Sequence, residues 1–398
     1  MAVALTALVA LHGAIHALGF VKWWGLAPVP QLGHRTLIAL SGTGERLFAA
    51  GWLLAVVLLL GAAVLRMARQ DGWWVAAMAG ALLSQFLVVI AWPDAKAGTV
   101  ANVIILVSAL SAAAHARFVD QVRAEARAIV TQASQPGRGR VEGAELEDLP
   151  APVRRWLETS GVLGRPRAAT VRLQQRGELR TKVDGRWMPA RAEQYFSVDP
   201  PAFIWRVDAT MMAGLPIAGR DKYTGGHGQM LIKAASIVNV VDVADEKIDL
   251  GSMLRYLGEI IWFPSAALSR HVAWEPIDTR HAKATLRYAG SGVSAVFTFD
   301  ERGRVARFDA DRYLGGGPEA RLTPWFASCS EWRSFEGIEV PSRGEVGWDL
   351  PGGPFIYYRW EVLDVQLNRT DLYPSQGASP FVPPAEAPAA ARVGEVSR

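Results

Sequence analysis

The run LFAAGWLLAVVLLLGAAVL, residues 47–65, holds no polar side chain except the indole of Trp52. About 17–25 apolar residues are what a helix needs to cross a bilayer, because backbone groups in hydrocarbon must pair within their own segment. Three further segments meet that criterion: residues 2–20, 73–92 and 99–116. Trp23, Trp24, Trp73, Trp74 and Trp92 fall at segment ends, where amphipathic rings prefer the headgroup layer. The chain is therefore expected to begin with a four-helix transmembrane domain, residues 1–118, in a multi-pass protein of the cell membrane. The first segment lacks the basic start of a cleaved signal peptide and runs into Lys22-Trp23-Trp24, so it is expected to be retained. Short connections at residues 66–72 and 93–98 predict an antiparallel series for helices two to four. Five basic residues near helix ends on one side against four on the other do not orient the head.

The charge balance follows from this layout. Residues 1–118 carry seven Lys or Arg and three acids, and the remainder carries 35 of each. The net charge of +4 thus belongs to membrane-flanking loops and gives no reason to expect nucleic-acid binding. A single cysteine, Cys329, excludes an internal disulfide and any multi-cysteine metal site.

Polar groups inside the apolar head are few, and each is a candidate. His12 and His16, four residues apart, share one helix face, which suits interhelical hydrogen bonding and leaves a proton or metal role as the alternative. A haem between His16 and His115 is disfavoured, since the two should differ in depth by roughly 20 Å at 1.5 Å per residue. The turn WPDAKAGTVAN adds Asp94 and Lys96, expected to pair or cap at the headgroup level, and Asn102, expected to bond inside the fourth helix.

After the head, a charged helical linker is expected over residues 119–164, broken by SQPGRGR and resumed in PAPVRRWLETSG with Gly161 as its stop. Then the period changes from helical to two. TVRLQQRGEL, RAEQYFSV, FIWRVDA, ATLRYAG, SAVFTFD, VARFDADRY, RGEVGWDL and FIYYRWEVLDV alternate apolar with polar residues between turn signals. At least eight strands without βαβ alternation predict an α+β domain over residues 165–368, mainly one antiparallel sheet, curved or a half-barrel. One helix interrupts it near residues 252–262, where Leu250, Met253, Leu254, Leu257 and Ile261 recur at helical spacing and Pro264 ends the run. Residues 369–398, rich in Pro, Ala and Ser, are expected to be a disordered tail.

A helix inserted into a curved sheet can cover its concave face, over either a packed core or a cavity. The leading expectation is a site for a lipid or other apolar ligand, contacted by Trp205, Tyr256, Trp262 and Phe263, with Arg255 and Glu259 orienting a head group. Two alternatives stay open. One is an enzyme at the membrane surface using Glu259 with Asp221 or His227 as acid and base, and the other is the intramembrane site at His12 and His16. No Walker loop, dinucleotide fingerprint, HExxH, GxSxG or EF-hand loop is present, so no cofactor, no metal and no catalytic residue is assigned. His227, His271 and His281 share the domain with Asp221, Asp278 and Glu259, and are expected to be surface or structural.

The motifs HGAIHALGFVKWWGL and WPDAKAGTVANVIIL in the head, with LPAPVRRWL, RAEQYFSVDPPAFIW, LRYLGEIIWFPSAAL, HVAWEPID and AVFTFDERGRV in the body, resemble a bacterial family of uncharacterised membrane proteins. Its members pair a four-helix head with a β-rich domain of unknown function, and the resemblance spans most of residues 5–368. It implies that architecture and no activity. More distantly, the strand-rich body looks like lipoprotein-carrier half-barrels, which implies acyl chains held under a helical lid as a matter of fold analogy.

Overall fold

The computed structural model describes residues 2–30, 32–33, 35–133, 139–211, 214–315 and 317–374. The chain forms two compact units, divided between Ala113 and Ala114.

The first unit contains α1 (Ala2–Trp24), α2 (Gly42–Met67), α3 (Trp73–Ile90), the single turn α4 (Trp92–Ala95) and the first half of α5 (Gly98–Gln132). Four of these helices are long and apolar enough to cross a membrane. Their packing inverts the soluble pattern. Ala49, Ala55, Ala62, Ala77, Ala81 and Ala109 are buried, while Leu11, Leu54, Val57, Leu82, Phe86 and Val107 face outward. Where lipid is as apolar as leucine, helices associate through small residues that let backbones approach. Leu59 shows why: a Cβ on Gly13 would stand 2.9 Å from Leu59 Cβ, and one on Gly80 would stand 2.9 Å from Leu59 Cγ. α2 begins at Ser41, whose side chain accepts from the Gly44 N–H at 3.3 Å.

A chain of polar bonds crosses this unit. His16 Nδ1 lies 2.6 Å from the His12 carbonyl, which can only accept, so Nδ1 carries the proton and Nε2 accepts from the Ser84 hydroxyl at 2.7 Å. His12 Nε2 pairs with Asn102 Oδ1 at 2.8 Å, Asn102 donates to Gln85 Oε1 at 3.1 Å, and Gln85 donates to Thr99 Oγ1 at 3.2 Å. α1, α3 and α5 are tied by these bonds. Asn102→Ala is expected to cost about 1 kcal/mol in detergent unfolding of the full chain. In a double-mutant cycle, His12→Ala added to Asn102→Ala should cost less than it does alone; strictly additive losses would mean that the pair carries no interaction energy.

The second unit runs from Ala114 and is built on one thirteen-stranded sheet. Its strands are β1 (Thr170–Leu179), β2 (Met188–Ser197), β3 (Ala202–Thr210), β4 (Pro216–Thr224), β5 (His227–Ala234), β6 (Val238–Val243), β7 (Val272–Pro276), β8 (His281–Tyr288), β9 (Ser291–Phe299), β10 (Val305–Leu314), β11 (Arg321–Phe335), β12 (Ile338–Leu350) and β13 (Gly353–Leu367). The order is β6-β5-β4-β3-β2-β1-β13-β12-β11-β10-β9-β8-β7, all antiparallel. The chain meanders outward from β1 to one edge, crosses to the opposite edge, and meanders back until β13 closes on β1. The sheet has two free edges and is unclosed.

The crossing segment is α7 (Glu246–Glu259), followed by a 3-10 turn at Ile260–Trp262. It starts earlier than helical spacing alone predicts, because the Asp245 side chain caps it by accepting from the Ile248 N–H at 2.8 Å. α7 packs against β4 and β5 on one wing and β8, β9 and β10 on the other, which requires the sheet to curl around it. Met253, Leu254, Leu257, Ile260 and Phe263 join Leu173, Phe196, Phe203, Phe297 and Phe308 in one core.

Three segments outside the strands complete this unit. α6 (Ala151–Ser160), within the expected linker, sends Val153, Trp156 and Leu157 into that core and stops at Gly161 in the left-handed region. The second half of α5 covers the convex face, where Phe118, Val122, Ala126 and Ile129 meet Tyr195, Ile204, Ala218 and Leu231. β2 is therefore buried on both faces from Ala192 to Ser197. Of the tail expected to be disordered, residues 369–374 are held to the unit: Arg172 bonds Asp371 at 2.8 Å, and the buried Tyr373 donates to Asp364 at 2.9 Å. Residues 375–398, and residues 134–138 of the SQPGRGR break, lie outside the described residues.

Candidate functional site

Arg255 and Glu259 share a face of α7 because they are one turn apart, and Arg255 Nε donates to Glu259 Oε1 at 2.8 Å. Arg255 Nη1 donates to Asp221 Oδ2 at 2.7 Å. The guanidinium lies 4.6 Å from the centroid of the Trp205 ring and 5.0 Å from that of Phe203, a cation–π arrangement in a largely desolvated place. The register of the sheet supplies the rest. Gln194 of β2 opposes Trp205 of β3, and Trp205 opposes Asp221 of β4, so the three stand in one row on the concave face. Gln194 Nε2 donates to Glu259 Oε2 at 2.6 Å.

This is one guanidinium between two carboxylates under a helix. Burial alone would lower the Arg255 pKa, but Glu259 and Asp221 outweigh it and hold the group above its ordinary value. Burial pushes Glu259 upward, and the pull of Arg255 in the other direction does not cancel that. The cluster is not saturated. Gln194 Oε1, Asp221 Oδ1, Trp205 Nε1 and the Tyr223 hydroxyl are buried with no hydrogen-bond partner among the described residues. Gln194 is 0% exposed and Asp221 5%. Buried polar atoms ordinarily find a partner, so these four remain available to one.

The rows beside this one carry short side chains: Ala192, Val207 and Gly219, then Ala190 and Ala209 with Ile217. Leu179 and Trp205 pack against them. The β3–β4 tip exposes Met211 and Leu215, and the β5–β6 tip exposes Ile237 and Val238. Ser236 at this end bonds His115 of α5 at 3.1 Å, two residues before Arg117 closes the apolar run of that helix.

The sequence-derived candidates fall in several separate places. Trp205, Arg255 and Glu259 meet in the cluster with Asp221. Tyr256, Trp262 and Phe263 are buried in the wall behind it, with Phe263 4.8 Å from Phe196 and the Trp262 indole donating to the Pro341 carbonyl at 3.2 Å. His227, proposed as a partner of Glu259, is exposed and pairs with Asp249 at 3.2 Å. His271 pairs with Asp199 at 3.1 Å and His281 with Asp278 at 2.8 Å; His271 borders an open cleft of about 490 Å³ with Arg287 and Tyr288. Asp94 accepts from the Gly33 N–H at 2.7 Å, and among the described residues it makes no ion pair with the exposed Lys96. No group of three metal-ligating side chains is present among the described residues. Burial pushes the Cys329 thiol up to about 12, which keeps it protonated and unreactive.

Gln194 escaped the sequence reading although its signal was present. In RAEQYFSV it is the polar residue on the parity of Phe196, the side facing the core.

An apolar helical head joined to an antiparallel half-barrel with a helix across its concave face defines the class of protein. The chain belongs to DUF6544, a family of unknown function that matches residues 139–360. No curated protein matches it. Among solved structures, a LolA superfamily protein from Nitrosomonas europaea is similar at 13% identity and a TM-score of 0.33, covering 57% of this chain and 94% of its own. A DUF1329 family protein from Desulfovibrio piger is similar at 9% identity and a TM-score of 0.31, covering 58% and 94%. Likenesses this weak say nothing about ligand or activity.

Proposed function

We propose that this is a multi-pass protein of the cell membrane whose half-barrel binds a lipid or another apolar molecule on its concave face. The observation that carries the reading is the row Gln194–Trp205–Asp221, with three unpaired polar atoms beside short apolar side chains. A polar end would meet this row and Arg255, and a hydrocarbon end would lie along Ala192, Val207 and Ala209 toward the exposed hairpin tips. Tyr256, Trp262 and Phe263 would support the site from behind. Glu259 serves the ion pair to Arg255 in this reading, without an acid or base step.

Ligand is expected to co-purify. Solvent extraction of the full chain from mild detergent, followed by mass spectrometry, should give one apolar species near equimolar amount. In Ile217→Trp, which fills the tip end of the short-side-chain rows, that species should fall about tenfold while thermal unfolding is unchanged. Equal recovery from both proteins, or nothing above the detergent and bulk-lipid background, would end the proposal.

A further inference from the structure

We infer that the ligand's polar end is a hydrogen-bond donor, neutral or cationic, and not a carboxylate or phosphate; this rests on the ligand-binding reading above. A buried arginine on a concave apolar face would ordinarily suggest an anionic head. Here that capacity is already used. Arg255 is engaged by Asp221 at 2.7 Å and by Glu259 at 2.8 Å, so its guanidinium is already committed to two carboxyl groups. An incoming anion would have to displace one of them or lie beside Asp221 where little water screens it.

The unpaired atoms point the same way. Gln194 donates its amide N–H to the Glu259 carboxylate, which fixes Oε1 as the free end, and that oxygen can only accept. Asp221 spends Oδ2 on Arg255 and leaves Oδ1, also an acceptor. Between them in the same row stands one free donor, Trp205 Nε1. Two acceptors flanking one donor, across strands about 4.8 Å apart, match a head with hydroxyl or amine hydrogens and a neutral oxygen between them. A monoacylglycerol or an amide-linked amphiphile has this chemistry, and an alkylamine supplies its donors alone. A fatty acid anion offers only acceptors and would leave Gln194 Oε1 and Asp221 Oδ1 unsatisfied.

The test uses the full chain in phosphatidylcholine nanodiscs and three photoreactive dodecyl probes that differ only in the head: primary amine, glycerol monoester and carboxylate. Labelling of β2–β4 peptides is normalised to labelling of α2, which reports the concentration of each probe in the bilayer. The amine and glycerol probes should label β2–β4 roughly tenfold more than the carboxylate. Gln194→Leu should remove most of the glycerol labelling. Asp221→Asn, which keeps the side-chain shape, should reduce the amine probe to the level of the glycerol ester. Equal labelling by all three heads, or preference for the carboxylate, overturns this inference and leaves ligand binding standing. Absence of β2–β4 labelling by every probe overturns both.

Discussion

Arg255→Ala lowers the stability of the β unit by about 3–5 kcal/mol, because it strands two buried carboxylates without a counter-charge. The loss should appear as a fall of roughly 10 °C in the unfolding temperature of the full chain, followed by tryptophan fluorescence. The Asp221 and Glu259 side chains are 8% and 13% exposed, too little for water to replace the guanidinium. The triple variant Arg255→Met, Asp221→Asn, Glu259→Gln removes every charge while keeping volume, and should recover most of the loss. The pH dependence has a definite sign. Glu259 is held above its ordinary pKa by burial, so at intermediate pH the folded state binds more protons than the unfolded one. Stability from this group is therefore present at low pH and lost as pH rises through the folded pKa. Without Arg255 the upward push is unopposed, and the deficit of Arg255→Ala should shrink on acidification from neutral pH. A deficit that is constant with pH, or absent, would show that the cluster is hydrated and electrostatically slack.

Phe263→Ala is expected to cost about 3–5 kcal/mol, the usual loss for a fully buried aromatic that leaves a cavity. Phe263 is 0% exposed and sits where the segment after α7 turns back, against Phe196 of β2 and Tyr256 of α7. Its ring joins the crossing helix to the sheet it bridges, so the variant tests more than packing. If α7 is held mainly by this wall, Phe263→Ala should also raise hydrogen exchange along residues 246–262 well above that of β1 and β13. A loss under about 1 kcal/mol with unchanged exchange would mean that α7 is anchored elsewhere.

The four apolar helices were legible because length and hydropathy are local properties, as residues 47–65 show. Strands such as residues 170–179 were equally plain, since alternation reports one covered and one open face. β4, β5, β6, β7 and β11 were not read as strands. β5 shows why, since HGQMLIKA has no regular alternation. β2 loses strict alternation at Glu193–Ser197, where two polar residues precede two aromatics, but nothing local revealed that α5 would cover its second face.

The site divides in the same way. Arg255 and Glu259 were visible as a pair because a helix converts a spacing of four into contact. Gln194, Trp205 and Asp221 are separated by 11 and 16 positions and meet only through register across β2, β3 and β4. By itself the sequence determined that an apolar helical head precedes a pleated body crossed by one helix. Only the tertiary structure decided that the crossing joins the two free edges, curling the sheet around α7, and that a buried arginine there already has two carboxylate partners. Periodicity records which way each side chain faces, and it carries no information about which distant strand lies alongside.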